Sequence, residues 1–147
     1  MDDRIEEIES RKIPQIFSQS GEDYFRRVES YVLNETAARS RLIVSTGGGV
    51  PVRPENRQTM QQNGIVLRLT ATPETIHARP SGAAGPRGRA LRPMLGDEAP
   101  LERVRALLAE REPAYATADA DIDTEGKSHE EVAREIVEAW RNLKAKV

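Results

Sequence analysis

A short apolar run that ends in three consecutive glycines constrains the fold of this 147-residue chain more than any other feature. Residues 41–45 (RLIVS) have the length and composition of a buried strand, and residues 46–49 (TGGG) follow as a tight loop. Three glycines in a row expose backbone N–H groups and leave room for a ligand, because no Cβ stands in the way. A merely flexible turn is the alternative interpretation. Since ligands of open α/β sheets bind beyond the carboxyl ends of strands, the run predicts a binding loop there.

Strands and helices alternate along the rest of the chain. Residues 65–70 and 120–124 predict two further strands. Periodicity and end signals predict helices over residues 3–38 with breaks near Pro14 and Gly21, from Pro54 to Asn63, after the N-cap Thr72, from Leu101, and from Val132 to Leu143. This alternation predicts an α/β fold built on a parallel sheet, in a single domain spanning residues 1–147.

Composition excludes several classes of function. The sequence has no cysteine, which rules out disulfides, thiolate metal sites and cysteine nucleophiles. The net charge of −2 disfavours general nucleic-acid binding, and no apolar run is long enough to span a membrane. The acidic N-terminus lacks the basic and apolar regions of a secretory signal. We therefore predict a soluble cytoplasmic protein with a small-molecule ligand.

Arginines are concentrated in a Gly/Pro-rich stretch and its flanks. Residues 80–91 cannot sustain regular structure, and the arginines in and around them are Arg79, Arg87, Arg89 and Arg92. Guanidinium groups on such a loop suit a phosphoryl-transfer lid, which closes over phosphates and neutralises developing charge. Solvated linker arginines are the alternative. Taken singly, Asp2, Arg26 and Arg111 have the character of helix caps or surface charges.

Several motifs occur in a fixed order. The first runs Asp, Ile-Glu, Ile-x-x-Ile-Phe and Gly-Glu-x-x-Phe-Arg-x-x-Glu without a gap, at Asp2, Ile5, Glu6, Ile13, Ile16, Phe17, Gly21, Glu22, Phe25, Arg26 and Glu29. The triple glycine follows, then Arg92-Pro93-Met94-Leu95, then Arg111-x-Pro113-x-Tyr115. In this order and spacing the whole chain resembles the shikimate kinase family. That resemblance implies ATP-dependent phosphorylation of the 3-hydroxyl of shikimate, in chorismate and aromatic amino-acid biosynthesis.

The resemblance also implies a substrate site. Its positions here are Asp2, Arg26, Gly47, Gly48, Gly49 and Arg111. The aspartate matches the carboxylate that binds the ring hydroxyls and orients the phosphoryl acceptor. The two arginines match the pair that grips the substrate carboxylate, and Gly48 matches the backbone contact to the ring.

On the nucleotide side the resemblance implies ATP and Mg²⁺. Arg92 matches the lid arginine that reaches the ATP phosphates and takes part in catalysis, within a lid of about residues 80–95. Arg79 matches an arginine near the adenine. Ser45 matches a small polar residue that supports the magnesium shell without ligating the metal directly.

One departure from the family pattern is large. No Gly-x-x-x-x-Gly-Lys-[Ser/Thr] motif, the P-loop that cradles phosphates, occurs in the sequence. The expected fold is therefore a three-layer parallel sheet of the P-loop nucleoside-monophosphate-kinase type. In the family's strand order 2-3-1-4-5, this chain would lack strands 1 and 2 together with the P-loop. We expect Met1 to be an internal methionine of a truncated gene model or fragment. We further expect marginal stability, aggregation, weak or absent turnover, and a monomer in the complete form.

Two other functions compete with the kinase. A ligand-sensing or regulatory module could keep the fold without catalysis, as loss of the P-loop would allow. A related small-molecule kinase, such as a gluconate kinase, is the second rival. Arg26, Arg111 and the triple glycine favour shikimate over gluconate.

Overall fold

The N-terminal part of the molecule is helical. The computed structural model describes residues 1–79 and 100–145, and its first three helices are α1 (Asp2–Glu9), α2 (Ile13–Ser20) and α3 (Glu22–Ala37). Pro14 lies in the first turn of α2, where a missing backbone N–H costs nothing. Gly21 separates α2 from α3 with a φ of 82°, a conformation that glycine adopts without strain. The predicted helices and both breaks are confirmed.

These three helices enclose the main core. Five buried side chains form it, none more than 5% exposed: Ile5, Ile13, Ile16, Phe25 and Val32. The rings of Phe17 and Phe25 pack with their centroids 4.6 Å apart. Apolar burial of this kind is the main favourable term in folding, so α1–α3 form a packed layer on their own contacts.

Four further α-helices follow in the described ranges, after a 3-10 helix at Val50–Val52. They are α4 (Pro54–Asn63), α5 (Pro73–Ala78), α6 (Leu101–Tyr115) and α7 (His129–Lys144). The Thr72 hydroxyl accepts a hydrogen bond from the Thr75 amide at 3.2 Å, so the predicted N-cap of α5 is confirmed. A helix break after Asn63 and a start at Pro54 are confirmed as well. No helix in the described ranges is both long and apolar enough to cross a membrane.

A two-stranded parallel sheet joins β1 (Leu67–Thr70) and β2 (Ala120–Asp123). Leu67 lies opposite Ala120 and Thr70 opposite Asp123. The Arg68 guanidinium bridges the strands by donating to Asp121 Oδ1 at 2.7 Å. Two of the three predicted strands are thus confirmed, with shorter bounds.

The prediction of a buried strand over residues 41–45 is wrong. Leu42, Ile43 and Val44, here called the apolar segment, are 43%, 101% and 39% exposed. Their backbone groups have no hydrogen-bond partner within the described residues. Next to them, the Ser45 carbonyl accepts from the Met1 ammonium at 3.1 Å. A β-strand needs hydrogen bonds to a neighbouring strand. β1 and β2 pair with each other, and neither pairs with the apolar segment.

Candidate active site

The three glycines form a turn whose carbonyls are all hydrogen-bonded. The amides of Val50 and Val52 donate to the first and third glycine carbonyls, at 3.1 and 3.2 Å. The Tyr115 hydroxyl, on α6, donates to the Gly48 carbonyl at 2.8 Å. Within the described part of the chain the three glycine amides have no partner. The glycine turn (residues 47–49) therefore keeps its N–H donors for a ligand.

Space, and not backbone freedom, explains these glycines. None of the three has a positive φ. A Cβ on Gly49 would lie 2.6 Å from Arg26 Cζ and 2.9 Å from its Nη2. A Cβ on Gly48 would lie 2.9 Å from the Tyr115 hydroxyl and 3.6 Å from Arg111 Nη1. The turn is thus a close-approach surface for the Arg26 guanidinium and the Tyr115 hydroxyl, with Arg111 in ordinary contact beside them. These contacts decide against a merely flexible turn.

Arg26 approaches the turn from α3 in a fixed orientation. Its Nη1 donates to Glu29 Oε2 at 2.8 Å, and its Nε and Nη2 donate to Glu22 Oε1 at 3.2 and 3.1 Å. Its side chain is only 14% exposed. Burial opposes the charge, but the hydrogen bonds that Arg26 donates to Glu29 and Glu22, with the charges of these carboxylates, outweigh burial and raise the pKa of Arg26. The guanidinium is therefore a permanent, pre-oriented cation.

Glu29 is the buried carboxylate behind this arginine. It is 3% exposed, and its Oε1 would lie 3.5 Å from a Cβ on Gly47, an ordinary contact. Burial raises the pKa of Glu29, Arg26 lowers it in part, and the charge of Asp2 raises it further. Asp2, at the start of α1, is therefore close enough to act on Glu29 by its charge.

Asp2 occupies the first turn of α1, where a carboxylate suits the helix dipole. It is half-buried, and burial raises its pKa. The N-terminal ammonium acts in the opposite direction, while Asp3 and Glu6 add to the increase. The Ser45 carbonyl accepts from the ammonium of Met1, the residue before Asp2, so Ser45 lies near Asp2. Ser45 itself is exposed.

Arg111 and Tyr115 reach the turn from α6. They are four residues apart, so they share one face of the helix. Across residues 1–79 and 100–145 the Arg111 guanidinium has no hydrogen-bond or ion-pair partner. It is thus a half-buried cation with its full donor capacity available to a ligand.

The predicted nucleotide-side arginines are placed differently. Arg79 donates to Thr124 through Nη1 at 2.9 Å and Nη2 at 2.8 Å, and Thr124 in turn donates to the Thr70 carbonyl at 2.8 Å. It is tied to the carboxyl ends of β1 and β2 and not to the glycine turn. Arg92 and the whole predicted lid, residues 80–95, lie outside the described residues.

Two contributors to the site had no role in the sequence-based prediction. Glu29 follows Arg26 by three residues and Tyr115 follows Arg111 by four, the spacings at which helical side chains meet. These spacings could have indicated both residues. What they could not indicate is that Tyr115 binds a carbonyl 67 positions away.

Comparison with known proteins decides the family. The family model described as "Shikimate kinase" matches residues 1–141. The chain belongs to the shikimate kinase family. Shikimate kinase of Caldanaerobacter subterraneus subsp. tengcongensis is 36% identical over 145 residues, which cover 99% of this chain and 81% of that protein. Shikimate kinase of Thermus thermophilus is 40% identical over 147 residues, covering 99% and 77%.

A solved structure supports the same assignment. Shikimate kinase from Acinetobacter baumannii, in complex with shikimate, superposes with a TM-score of 0.84 at 34% identity, covering 99% of this chain and 78% of that one. The fold is accordingly of the P-loop nucleoside-monophosphate-kinase type, and by family the chain is an ATP-dependent phosphotransferase of aromatic amino-acid biosynthesis. The regulatory alternative gains no support from these relatives.

Proposed function

We propose that the glycine turn of this chain binds shikimate and presents its 3-hydroxyl to the γ-phosphate of ATP. The observation that carries the proposal is the convergence of two guanidinium groups on adjacent glycines. The Arg26 guanidinium lies so close to Gly49 that a Cβ there would clash with it, and the Arg111 guanidinium lies beside Gly48. Two arginines that approach one turn from two helices form a site for a carboxylate.

Charge favours a carboxylate at this position. Glu29 and Glu22 accept from all three nitrogens of Arg26, whereas Arg111 has no ion-pair or hydrogen-bond partner within the described residues. Charge-assisted bonds from guanidinium to carboxylate are short, directional and often bidentate. The substrate carboxylate supplies the partner that Arg111 lacks.

The ring hydroxyls have partners of both kinds. The unpaired amides of the glycine turn donate to a hydroxyl oxygen, and the Asp2 carboxylate accepts from a hydroxyl hydrogen. In the proposed reaction Asp2 orients the acceptor hydroxyl. As the 3-oxygen bonds to the γ-phosphorus, the bond from that phosphorus to the β-phosphate oxygen would break, ADP would leave, and the hydroxyl proton would pass to the Asp2 carboxylate. The rate gain comes from positioning and charge neutralisation.

Three further residues complete the proposal on the phosphate side: Arg92 toward the ATP phosphates, Arg79 toward the adenine, and Ser45 beside the magnesium shell. In the described residues no three acidic or histidine side chains gather as a metal site. Mg²⁺ bound with a nucleotide takes most ligands from phosphates and water, which fits a supporting role for Ser45. The ion supplies charge neutralisation on the phosphates. We also propose that the protein acts in the cytoplasm, as the sequence predicts.

Calorimetric titration of the chain with shikimate and with gluconate tests the proposal. We expect saturable binding of shikimate and a much weaker signal for gluconate, which lacks the ring. Arg26→Lys and Arg111→Lys each weaken shikimate binding by on the order of tenfold to a hundredfold, because lysine cannot reproduce two-pronged bonding.

Each variant has a matched control. Arg27→Lys changes an exposed arginine next to Arg26, and Arg103→Lys changes an exposed arginine on the helix that carries Arg111. Both controls should bind shikimate as the parent chain does. Equal binding of gluconate and shikimate, or equal losses in the variants and their controls, would contradict the proposal.

A further inference from the structure

We infer that Tyr115 is a positioning residue that sets the orientation of the glycine turn for substrate binding, an inference that rests on the proposed function above. Its hydroxyl makes the one hydrogen bond that ties a glycine of the turn to a distant element within the described residues, 2.8 Å from the Gly48 carbonyl. The other two glycine carbonyls accept from the amides of Val50 and Val52, each three residues further along the chain.

The hydrogen bond to the Gly48 carbonyl also sets the direction of the Gly49 amide, because both belong to one peptide unit. The peptide unit that joins Gly48 to Gly49 is planar and trans, so its C=O and N–H point in opposite directions. Holding the Gly48 carbonyl toward α6 therefore aims the Gly49 amide away from α6. That amide has no partner among the described residues. Tyr115 thus acts on the substrate through a donor that it does not touch.

The same bond sets the spacing of the two arginines. Arg111 precedes Tyr115 by one helical turn, and both side chains approach Gly48. Arg26 approaches the next glycine from α3. A hydrogen bond between α6 and the turn therefore fixes how far Arg111 stands from Arg26, which is the distance that a carboxylate has to bridge.

A purely structural role predicts a different result on substitution. Gly48 is exposed, so water can replace the lost phenol at its carbonyl and the fold should change little. A misdirected amide and a displaced arginine would instead weaken shikimate binding. We expect Tyr115→Phe to raise the Kd for shikimate by about fivefold to tenfold, the loss of a single hydrogen bond, at an unchanged midpoint of thermal unfolding.

The experiment compares the 147-residue chain with Tyr115→Phe and Tyr31→Phe. Tyr31 is 60% exposed on α3, and its hydroxyl makes no hydrogen bond within the described ranges. Tyr31→Phe therefore controls for the loss of a phenol hydroxyl. Shikimate affinity is measured by calorimetry, and the amide signal of Gly49 is followed by ¹H–¹⁵N NMR in the free chain and with shikimate. Support consists of a weaker affinity and a moved Gly49 signal in Tyr115→Phe alone.

The outcomes separate this inference from the proposed function. An affinity within twofold of the parent chain, or a Gly49 signal that moves no more than in Tyr31→Phe, overturns the role of Tyr115 and leaves the function standing. If the parent chain binds no shikimate, the proposed function fails. The Gly49 signal of the free chain then decides on the role of Tyr115 in orienting the turn.

Discussion

The glycine turn and the apolar segment are close neighbours in sequence and have opposite environments. All three carbonyls of the turn are hydrogen-bonded, and α3 and α6 hold it from two sides. Residues 42–44, three positions earlier, are exposed and have no backbone partner within the described residues. The turn is shaped by contacts with helices, whereas the segment has the composition of a strand without a neighbouring strand.

This difference separates substrate binding from sheet formation. Arg26 is oriented by two glutamates of its own helix, and Arg111 and Tyr115 share a face of α6. None of these contacts involves the apolar segment. We therefore expect changes at the turn to affect ligand affinity and changes at the segment to affect association of the chain.

The largest effect is expected for Gly49→Ala. Its Cβ would lie within 3 Å of the Arg26 guanidinium, so the anchored cation has to move. Shikimate affinity should fall by about a hundredfold, the loss of charge-assisted hydrogen bonds, and the unfolding midpoint should fall as well because the buried Arg26–Glu29 pair is disturbed. Calorimetry measures the affinity. Gly47→Ala is the matched control, because its Cβ meets Glu29 Oε1 at an ordinary 3.5 Å. Equal losses in both variants would show that the turn responds to any added Cβ.

The second effect concerns the apolar segment. An exposed apolar strand-like edge promotes association between chains, so the parent chain should self-associate. Ile43, fully exposed, is the residue to change. We expect Ile43→Lys to weaken self-association roughly tenfold in sedimentation velocity, since a charge on an edge opposes pairing. Val137→Lys, on another exposed apolar residue, is the control. Unchanged association in Ile43→Lys, or a loss of shikimate affinity, would break the comparison.

A smaller effect concerns pH and the buried Glu29. Burial raises its pKa above the usual value, so the folded state holds a proton that the unfolded state releases. The contribution of Glu29 to the free energy of unfolding is therefore greatest in acid and declines as the pH rises through its folded pKa. Urea titrations at several pH values should show this decline in the parent chain relative to Glu29→Gln. If the free energy of unfolding of the parent chain, relative to Glu29→Gln, increased with pH, the result would contradict a raised pKa of Glu29.

The smallest effect has the reverse sign and concerns the sheet. The hydrogen bond from Arg68 lowers the pKa of Asp121, so its contribution is present near neutrality and is lost as the pH falls through the folded pKa. Asp121 is exposed, and surface pairs stabilise by at most about 1 kcal/mol. Urea unfolding of Asp121→Asn near neutral pH should show a loss within that limit. A larger loss would mean that the sheet depends on this one pair.

The sequence predicted the local features of this fold well. The helix starts at Pro54 and Thr72 and the break at Gly21 depend on residues within one turn, and all three are confirmed. The strand over residues 41–45 failed because strand formation depends on a partner, which composition does not specify.

The candidate site divides along the same line. The sequence indicated Arg26, Arg111 and the glycines, and the structure brings them together. It gave no role to Glu29, although its spacing of three residues from Arg26 could have indicated one. It gave none to Tyr115 either, because the Gly48 carbonyl becomes its partner only when α6 packs against the turn. The roles assigned to the two arginines and the glycines, and to Asp2, Ser45, Arg79 and Arg92, stay predictions.

The most direct test of the central claim compares shikimate with its methyl ester in calorimetric titrations. If Arg26 and Arg111 together bind the carboxylate at the glycine turn, the ester should bind the parent chain at least about a hundredfold more weakly than the acid. In the double variant Arg26→Lys/Arg111→Lys that difference should shrink to about tenfold or less. Equal affinity of the parent chain for acid and ester would contradict the account.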